Sequence, residues 1–196
     1  VRDWSANVMF YAGQTAASGP PHVTDPRIEP FIADFTAETL RLIEARRAEP
    51  RDDLVSVWVH TEGWDTKKVL EETILVLDGG AETTRTVIGS MIRELARQPD
   101  QRRVLLDRPE LLEHTAIEEF IRWVSPVLNM RRTVTEDHPL HGQTLHAGDQ
   151  LLLMYPSANR DPRAFDDPDV LDVTREHNRH VAFGFGTHFC LGASLA

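Results

Sequence analysis

Cysteine, basic residues and long apolar runs are all scarce in this sequence. Among its 196 residues there is one cysteine, Cys190, which excludes a disulfide within the chain and favours a reducing compartment. The 21 Lys and Arg residues face 31 Asp and Glu residues, for a net charge of −10. This balance disfavours nucleic acid and anionic membranes as partners, because binding to phosphate groups needs a basic surface.

No apolar stretch approaches the roughly 20 residues that span a membrane. Residues 1–10 also lack the hydrophobic segment of a secretory signal peptide. Together with the single cysteine, these features predict a cytoplasmic protein without a membrane span. Hydrophobic residues make up 41% of the sequence, which is enough for a folded core.

The spacing of apolar residues predicts a mainly α fold with a small β region. Over the first two-thirds of the chain the spacing is helical, and the predicted helices cover residues 2–11, 25–50, 54–60, 66–98, a short stretch after 99, and 109–124. Residues 13–22 are predicted to form a loop. Beyond Pro126 the period falls towards two, which predicts short strands at 127–135, 139–145 and 150–155, with turns at 141–142 and 147–149.

The helix predicted at residues 66–98 would be roughly 45–50 Å long, which is wider than a small domain. A helix of this length normally crosses the centre of a larger fold. A further helix is predicted to start at Cys190, and the sequence stops soon after it begins. We therefore expect this sequence to be part of a longer chain.

Two adjacent glycines, Gly79 and Gly80, lie near the centre of this long helix. Each costs about 1 kcal/mol relative to alanine inside a helix, so the pair requires an explanation. Helical spacing places Gly80 on the same face as Thr83, with Glu82 beside it. A kink or a ligand pressed against this face would explain the glycines. Close packing of another helix over them would explain them equally well.

Glu119 and Arg122 are three residues apart in an apolar helical segment. Most pairs with this spacing lie at the surface and contribute about 0.2–0.5 kcal/mol. The apolar neighbours favour burial instead, and a buried pair needs further partners to offset desolvation. Two candidates for a third partner are Arg160 and Arg175. Both lie in residues 156–179, which follow the predicted strands, have little periodicity and are called the irregular segment below.

The segment from Phe183 to Gly192 has the sequence FGFGTHFCLG. Its glycines allow the backbone to approach a flat ligand, and a predicted helix N-terminus at Cys190 favours the thiolate, a soft ligand for iron. Cys190 could instead be a small buried apolar residue. A zinc-binding module is a further alternative, with the candidate ligands His177, His180, His188 and Cys190.

Three patterns therefore occur in order: the Gly-Gly-Ala-Glu-Thr-Thr segment at 79–84, the Glu119-x-x-Arg122 pair, and F-x-x-G-x-H-x-C-x-G at 183–192. Together they resemble the cytochrome P450 superfamily of heme-thiolate monooxygenases. The stretch ANRDP at 158–162 is similar to the bacterial branch. Family members are considerably longer, so the resemblance implies that residues 1–196 form a single partial domain. It would be the C-terminal part of a cytochrome P450 catalytic domain, without the N-terminal half and the extreme C-terminus.

The resemblance implies a heme b site in which Cys190 supplies the axial thiolate ligand of the iron. Phe183 would shield this thiolate, while His188 and Arg132 would each pair with a heme propionate. Arg131 is the alternative to Arg132 because the two are adjacent. The complete set of implied heme-binding residues is Cys190, His188, Arg132, Phe183, Gly184 and Gly80.

The resemblance also implies catalytic roles in the long helix. Thr83 would support the activation of dioxygen, and Glu82 would pass protons to it. Gly79 and Gly80 would form a kink that makes room for oxygen. The implied structural residues, which lie behind the heme and are not catalytic, are Glu119, Arg122 and Arg175.

The implied function is a monooxygenase that inserts one oxygen atom of O2 into a C–H bond of a hydrophobic sterol, fatty acid or terpenoid. Electrons would come from NAD(P)H through a ferredoxin reductase and a ferredoxin, for which Arg102, Arg103 and Arg108 are candidate contacts. Segments 125–130 and 183–190 are most similar to bacterial members that oxidise steroid side chains. The alternative from a different class is a truncated, non-catalytic remnant that does not bind heme stably. The implied substrate contacts are Leu75, Val76, Val127 and Leu128.

Overall fold

The computed structural model describes residues 26–195. The helix predicted at 2–11 and the loop predicted at 13–22 lie outside the described residues. The chain consists of two compact units, which divide between Glu82 and Thr83. The expectation of a single partial domain over residues 1–196 stays a prediction.

Helices occupy most of the described chain before Val124, as the periodicity predicts. In chain order they are α1 (Glu29–Ala48), α2 (Leu54–Val59), α3 (Thr66–Arg97), α4 (Pro99–Asp107), α5 (Ile117–Val124) and the short α6 (Tyr155–Ala158). The strands are β1 (Asn129–Thr133), β2 (His138–Leu140), β3 (Gln143–Leu145) and β4 (Gln150–Met154). The prediction of a mainly α fold with a small β region is confirmed. Within residues 26–195, none of the helices combines the length and apolarity of a membrane span.

The unit before Thr83 packs around three buried apolar residues, which are Ile43 of α1, Val55 of α2 and Val69 of α3. Asp53 caps α2 by accepting a hydrogen bond of 2.8 Å from the Ser56 N–H. A hydrogen bond from Arg46 is the largest of the influences that lower the pKa of Asp53 to about 2. The cap is therefore ionised at neutral pH, as the N-terminus of a helix favours.

The unit from Thr83 onward packs around Phe120 of α5, whose side chain is fully buried. Buried residues from the irregular segment, Leu171 and Val173, contact the same cluster. The C-terminal half of α3 contributes to this core, so it anchors the segment that precedes Cys190. The partly buried residues packed against the cluster are Val87, Met91, Leu95, Val104, Leu105 and Trp123.

The helix predicted over residues 109–124 is interrupted, and in this respect the prediction was wrong. A wider π-helical turn, Leu112–Ala116, precedes α5, and the Ile117 N–H bonds to the Leu112 carbonyl five residues earlier. Within this turn the Thr115 hydroxyl donates to the Val173 carbonyl across 2.6 Å. The acceptor is 58 residues away in sequence, so helical periodicity could not reveal the contact. π-Helical turns occur often near functional sites.

The strands form two antiparallel pairs, β1 with β4 and β2 with β3. The stretch predicted as strand 139–145 is a hairpin that turns at His141 and Gly142, where the turn was predicted. Both turn residues have positive φ, 47° and 80°, the backbone that tight two-residue hairpins require. In β1, Arg131 lies opposite Leu152 and Arg132 opposite Leu151, so the two arginines point to opposite faces.

The helix predicted to start at Cys190 is absent from the described residues, where 191–195 form successive turns. Two such turns are closed by Ala193 N–H to the Cys190 carbonyl and Leu195 N–H to the Gly192 carbonyl. The short turn Gly186–His188 precedes them.

We expect Phe120→Ala to lower the free energy of unfolding by about 3–5 kcal/mol, because it opens a cavity in this core. Leu106→Ala is the control, since Leu106 is 71% exposed, and it should change that free energy by less than about 0.5 kcal/mol. Urea unfolding followed by circular dichroism measures both. Equal effects of the two variants would contradict the assignment of Phe120 to the core.

Candidate functional site

Glu119 and Arg122 form a fully buried ion pair on α5. The pair is bidentate, with Arg122 Nε 2.7 Å from Glu119 Oε2 and Arg122 Nη2 2.8 Å from Glu119 Oε1. Of the two alternatives for this pair, the structure has the buried one. Burying two charges costs several kcal/mol per ion, so the pair is stable only if its remaining donors and acceptors are satisfied.

The other N–H groups of Arg122 donate to main-chain carbonyls of the irregular segment. Nη1 donates to the Asn159 and Pro168 carbonyls, both across 2.8 Å. Nη2 also donates to the Val170 carbonyl, across 3.1 Å. All five N–H donors of the guanidinium therefore have an acceptor. The guanidinium carbon lies 5.3 Å from the centroid of the Phe165 ring, within range of a cation–π contact.

The Glu119 carboxylate accepts three further hydrogen bonds. Arg175 Nε donates to Oε2 across 3.1 Å, and Asn178 Nδ2 donates to the same oxygen across 3.0 Å. The Asp172 N–H donates to Oε1 across 2.9 Å. Because these donors come from different turns of the irregular segment, one buried carboxylate fixes several parts of it at once.

Arg160, the alternative third partner, makes other contacts. Its Nη2 donates to the Trp123 carbonyl across 3.1 Å, and its guanidinium stacks 4.6 Å from the Trp123 ring centroid. Its Nε is 3.5 Å from Asp169. The structure thus places Arg175, and not Arg160, against Glu119.

Asn159 links this network to the Cys190 loop, a name used for residues 183–192. The side chain is fully buried; its Oδ1 accepts from the Val181 N–H and its Nδ2 donates to Ser125 Oγ, both across 2.8 Å. Ser125 ends α5 with a left-handed φ of 43°, and its hydroxyl donates to the Arg122 carbonyl. Sequence reasoning missed Asn159 as a contact residue, although it lies within the ANRDP stretch.

The Cys190 loop needs its glycines for conformational reasons. Gly184 and Gly186 have φ of 75° and 72°, in the left-handed region that other residues rarely adopt. A Cβ at Gly184 would also lie 3.4 Å from the His188 carbonyl oxygen. The loop is closed by the Cys190 N–H, which donates to the Phe183 carbonyl across 2.9 Å.

Cys190 is exposed, so the alternative of a buried apolar cysteine is wrong. Large apolar side chains beside it are exposed as well, with Phe185 at 89% and Leu191 at 91%. Heme requires a donor atom for its iron and an apolar surface for its ring. Cys190 offers a soft sulfur donor, the glycines let the backbone come close to a flat ring, and Phe185 and Leu191 offer apolar surface. The residues of this loop therefore fit a heme group.

The zinc alternative finds no support in the structure. Within residues 26–195, no group of three or more His, Cys, Asp or Glu side chains could hold a metal ion. His180 already uses both ring nitrogens, since Nε2 is 2.7 Å from Glu118 Oε2 and Nδ1 accepts from the Ala182 N–H across 3.3 Å. For this part of the chain the zinc hypothesis is wrong.

Gly79 and Gly80 lie inside α3, which runs from Thr66 to Arg97. A Cβ built on either glycine would meet no described atom within 4 Å. Among the described residues, close packing of another helix over the glycines is therefore not their explanation. A kink or a ligand remains as the reason for the pair.

Asp78, which sequence reasoning missed, lies one helical turn before Glu82 on α3. Burial, followed by the negative charge of Glu82, raises the pKa of the Asp78 carboxyl. Two carboxyl groups four residues apart disfavour ionisation of both. A raised carboxyl pKa makes Asp78 a candidate functional residue. The run of Asp78 and Glu82 around two helix-interior glycines was the signal available in the sequence.

The remaining predicted residues are distributed over both units. Leu75 and Val76 of α3 are 65% and 38% exposed, and Leu128 is 61% exposed beside the half-buried Val127. Arg132 is half-buried on β1 and donates from Nη1 to the Arg131 carbonyl. His188 and Thr83 belong to the same unit as Cys190, whereas Gly80 and Glu82 belong to the other.

Comparison with known proteins shows which family and which solved structures this chain is similar to. The Cytochrome P450 family model matches residues 110–196. Steroid C26-monooxygenase from Mycolicibacterium smegmatis is 46% identical over 182 residues, which are 89% of this chain and 45% of that protein. Linalool 8-monooxygenase from Pseudomonas putida is 43% identical over 169 residues, which are 84% of this chain and 41% of that protein. The crystal structure of CYP109E1 from Bacillus megaterium with testosterone has a TM-score of 0.84 and 34% identity, covering 98% of this chain and 51% of that one.

The fold and the Cys190 loop define the scaffold of a heme-thiolate protein. The chain belongs to the cytochrome P450 family, as the order of the three sequence patterns predicts. It spans about half the length of the curated relatives it matches.

We expect Arg122→Leu to lower the free energy of unfolding by about 3–5 kcal/mol, because it leaves the Glu119 carboxylate buried without its main partner. Arg163→Leu is the control: Arg163 forms an exposed pair with Asp161, and its loss should leave the unfolding midpoint unchanged. Thermal and urea unfolding give both values. A small effect of Arg122→Leu would mean that the buried pair does not support the irregular segment.

Proposed function

We propose that the whole protein is a heme-thiolate monooxygenase that inserts one oxygen atom of O2 into a C–H bond of a hydrophobic substrate. The observation that carries this proposal is the exposed Cys190 thiol, held in a glycine loop by the bond from the Cys190 N–H to the Phe183 carbonyl. Membership of a family whose relatives are named as monooxygenases supports it.

In this proposal Cys190 would supply the thiolate ligand of the heme iron, with Phe183 beside it, and His188 and Arg132 would bind the heme propionates. Heme b supplies the activation of dioxygen when it is bound. The chain's own contribution is to hold the sulfur, cover one face of the ligand and orient the substrate.

The acidic residues of α3 and Thr83 would handle protons. Thr83 presents a hydroxyl on the glycine-bearing stretch of the helix, and Glu82 is adjacent to it. Burial, followed by the charge of Glu82, raises the pKa of the Asp78 carboxyl one turn away, as in sites where carboxyl groups take part in proton transfer.

We propose a sterol as the substrate class. Two relatives with 46% and 47% identity are named steroid C26-monooxygenases, and the structural neighbour CYP109E1 was solved with testosterone. The apolar residues Leu75, Val76, Val127 and Leu128 suit such a ligand. The linalool and methyl-branched lipid oxygenases among the relatives keep terpenoids and fatty acids as further substrates to assay.

We also propose that electrons reach the heme from NAD(P)H through a ferredoxin reductase and a ferredoxin, in the cytoplasm. Arg102 and Arg103 of α4 are exposed and line a groove of about 240 Å³ with Leu106. Arg108 follows at the end of the helix and is also exposed. Asp100 lines the same groove and Glu110 lies 3.6 Å from Arg108 Nε, so these arginines are proposed as individual contacts for an acidic carrier and not as a basic patch.

A second candidate is that this 196-residue chain does not retain heme. The observation in its favour is that Phe185 and Leu191 beside Cys190 are about nine-tenths exposed, at 89% and 91%. Apolar area helps to hold a ligand only where the ligand covers it, and this chain spans about half the length of its relatives. The same experiment decides between the two candidates.

We expect the chain expressed with heme, reduced with dithionite and exposed to carbon monoxide, to show the strongly red-shifted Soret band of a thiolate complex. Cys190→Ser should abolish that band, because serine offers no soft ligand. Thr187→Ser, on the same loop, is the control and should keep the band. A band that survives Cys190→Ser would refute the ligand assignment. The absence of heme from the wild-type chain would favour the second candidate.

We expect Thr83→Ala to raise NAD(P)H consumption per molecule of product by about 100-fold, the lower end of the effect of losing a proton-transfer group. Heme content and the carbon monoxide spectrum should be unchanged. Product is measured with a sterol by mass spectrometry, in a preparation that binds heme. The control is Thr84→Ala, which changes the adjacent hydroxyl. Loss of heme together with product would show that Thr83 is only structural.

A further inference from the structure

His180 connects α5 to the Cys190 loop, and none of the roles above involves it. Its Nε2 lies 2.7 Å from Glu118 Oε2, and its side chain is only 4% exposed. Its ring centroid lies 5.6 Å from that of Phe183, with the planes tilted by 55°. The residue is therefore buried between a helix and the first residue of the loop.

The hydrogen bonds of His180 define one tautomer and one ring orientation. Nδ1 accepts from the Ala182 N–H, so the proton of the neutral imidazole lies on Nε2 and is donated to Glu118. A buried ring that is hydrogen-bonded at both nitrogens cannot rotate without losing one of these bonds. His180 thus presents a fixed face to Phe183.

Phe183 contacts the His180 ring with its own ring and Cys190 with its main-chain carbonyl. Its carbonyl oxygen accepts the Cys190 N–H across 2.9 Å, and its ring lies edge-on to Phe189 with centroids 6.1 Å apart. Displacement of Phe183 would therefore disturb the amide of Cys190 and the ring of its neighbour together. The Val181 N–H is held separately by Asn159, so the start of the loop has a second anchor.

We propose that His180, held by Glu118, is a positioning residue that fixes Phe183 and thereby the backbone of Cys190. The consequence for the heme ligand rests on the function proposed above. The hydrogen-bonded connection itself does not, because every contact in it lies within this chain. Glu118 precedes Glu119, so adjacent residues of α5 would support the irregular segment and the loop.

Glu118 allows a test that leaves the buried histidine in place. Its side chain is 51% exposed, so Glu118→Ala should fold. Glu118→Gln keeps an oxygen that can accept the Nε2–H of His180 while removing the charge. Glu113→Ala is the matched control, because Glu113 is an exposed glutamate in the turn that precedes α5.

Two readouts report on Cys190 without heme. Hydrogen exchange measures protection of the Cys190 amide, and alkylation by iodoacetamide reports on this thiol alone, because the sequence has a single cysteine. We expect Glu118→Ala to accelerate Cys190 amide exchange by about five- to tenfold, the net effect of losing one ordinary hydrogen bond. The alkylation rate should change as well. Glu118→Gln should restore most of the protection, and Glu113→Ala should have no effect.

The Val173 amide serves as an internal reference, since it donates to Gln101 Oε1 elsewhere in the same unit. Its exchange should be the same in all variants. Equal acceleration at Val173 and Cys190 would show a global loss of stability and overturn the proposal. Unchanged Cys190 exchange in Glu118→Ala, or failure of Glu118→Gln to restore it, would also overturn it.

In heme-loaded protein, Glu118→Ala should convert part of the thiolate-type carbon monoxide band to the shorter-wavelength form, and Glu118→Gln should restore it. If the wild-type chain binds no heme while the exchange results hold, the second candidate above is favoured and the positioning role of His180 stands. If heme binds and the exchange results fail, the reverse conclusion follows.

Discussion

The unit that contains Cys190 depends on the burial of one ion pair, Glu119 and Arg122. An isolated buried charge costs more than its pairing returns, so such a pair persists only where every donor and acceptor is used. Here all five N–H donors of the Arg122 guanidinium are hydrogen-bonded. The Glu119 carboxylate accepts from Arg175, Asn178 and the Asp172 N–H as well as from Arg122. Apart from Arg175 and Asn178, the outside partners are main-chain groups of the irregular segment. The pair therefore supplies the hydrogen bonds that a helix or sheet would otherwise provide to that backbone.

This arrangement explains how an irregular chain can present a cysteine accurately. Residues 159–180 have few backbone bonds of their own, yet several of their carbonyls are fixed to Arg122, which belongs to a rigid helix. Asn159 carries the constraint to the Val181 N–H, and the contact of His180 with Glu118 adds a second connection to the same helix. Cys190 is left exposed while the chain just before its loop, at His180 and Val181, is held. A functional group on a loop gains its precision from supporting contacts of this kind.

The parts of this molecule that could be predicted from its sequence are those governed by local periodicity. Spacing and residue type predict the helices at 54–59 and 66–97 and the hairpin turn at 141–142. The family was predicted separately, from the resemblance that the three patterns carry. Contacts made by the irregular segment could not be predicted, because a stretch without periodicity gives no register. The choice between Arg160 and Arg175 therefore needed the structure, as did the roles of Asn159 and Asn178. The π-helical turn was missed because the tertiary contact made within it, the bond from Thr115 to Val173, joins residues far apart in sequence.

Within residues 26–195, the buried Glu119–Arg122 pair and the apolar side chains of the Cys190 loop differ in how far they are covered by other atoms. The buried pair has its partners, whereas Phe185, Leu191 and Leu128 present large apolar surfaces to solvent. Apolar area that is later covered contributes roughly 25 cal/mol per Å² to whatever covers it. Covering Phe185 and Leu191, which lie close to Cys190 in sequence, would therefore add to the affinity for a flat apolar group there. Scaffold residues act on this affinity indirectly, by keeping the loop in the conformation that exposes the surface. A substitution in the scaffold should consequently weaken folding and ligand binding together, whereas one on the exposed face should weaken binding alone. The two kinds of substitution differ in effect because the scaffold residues are buried, whereas the residues of the exposed face are in contact with water.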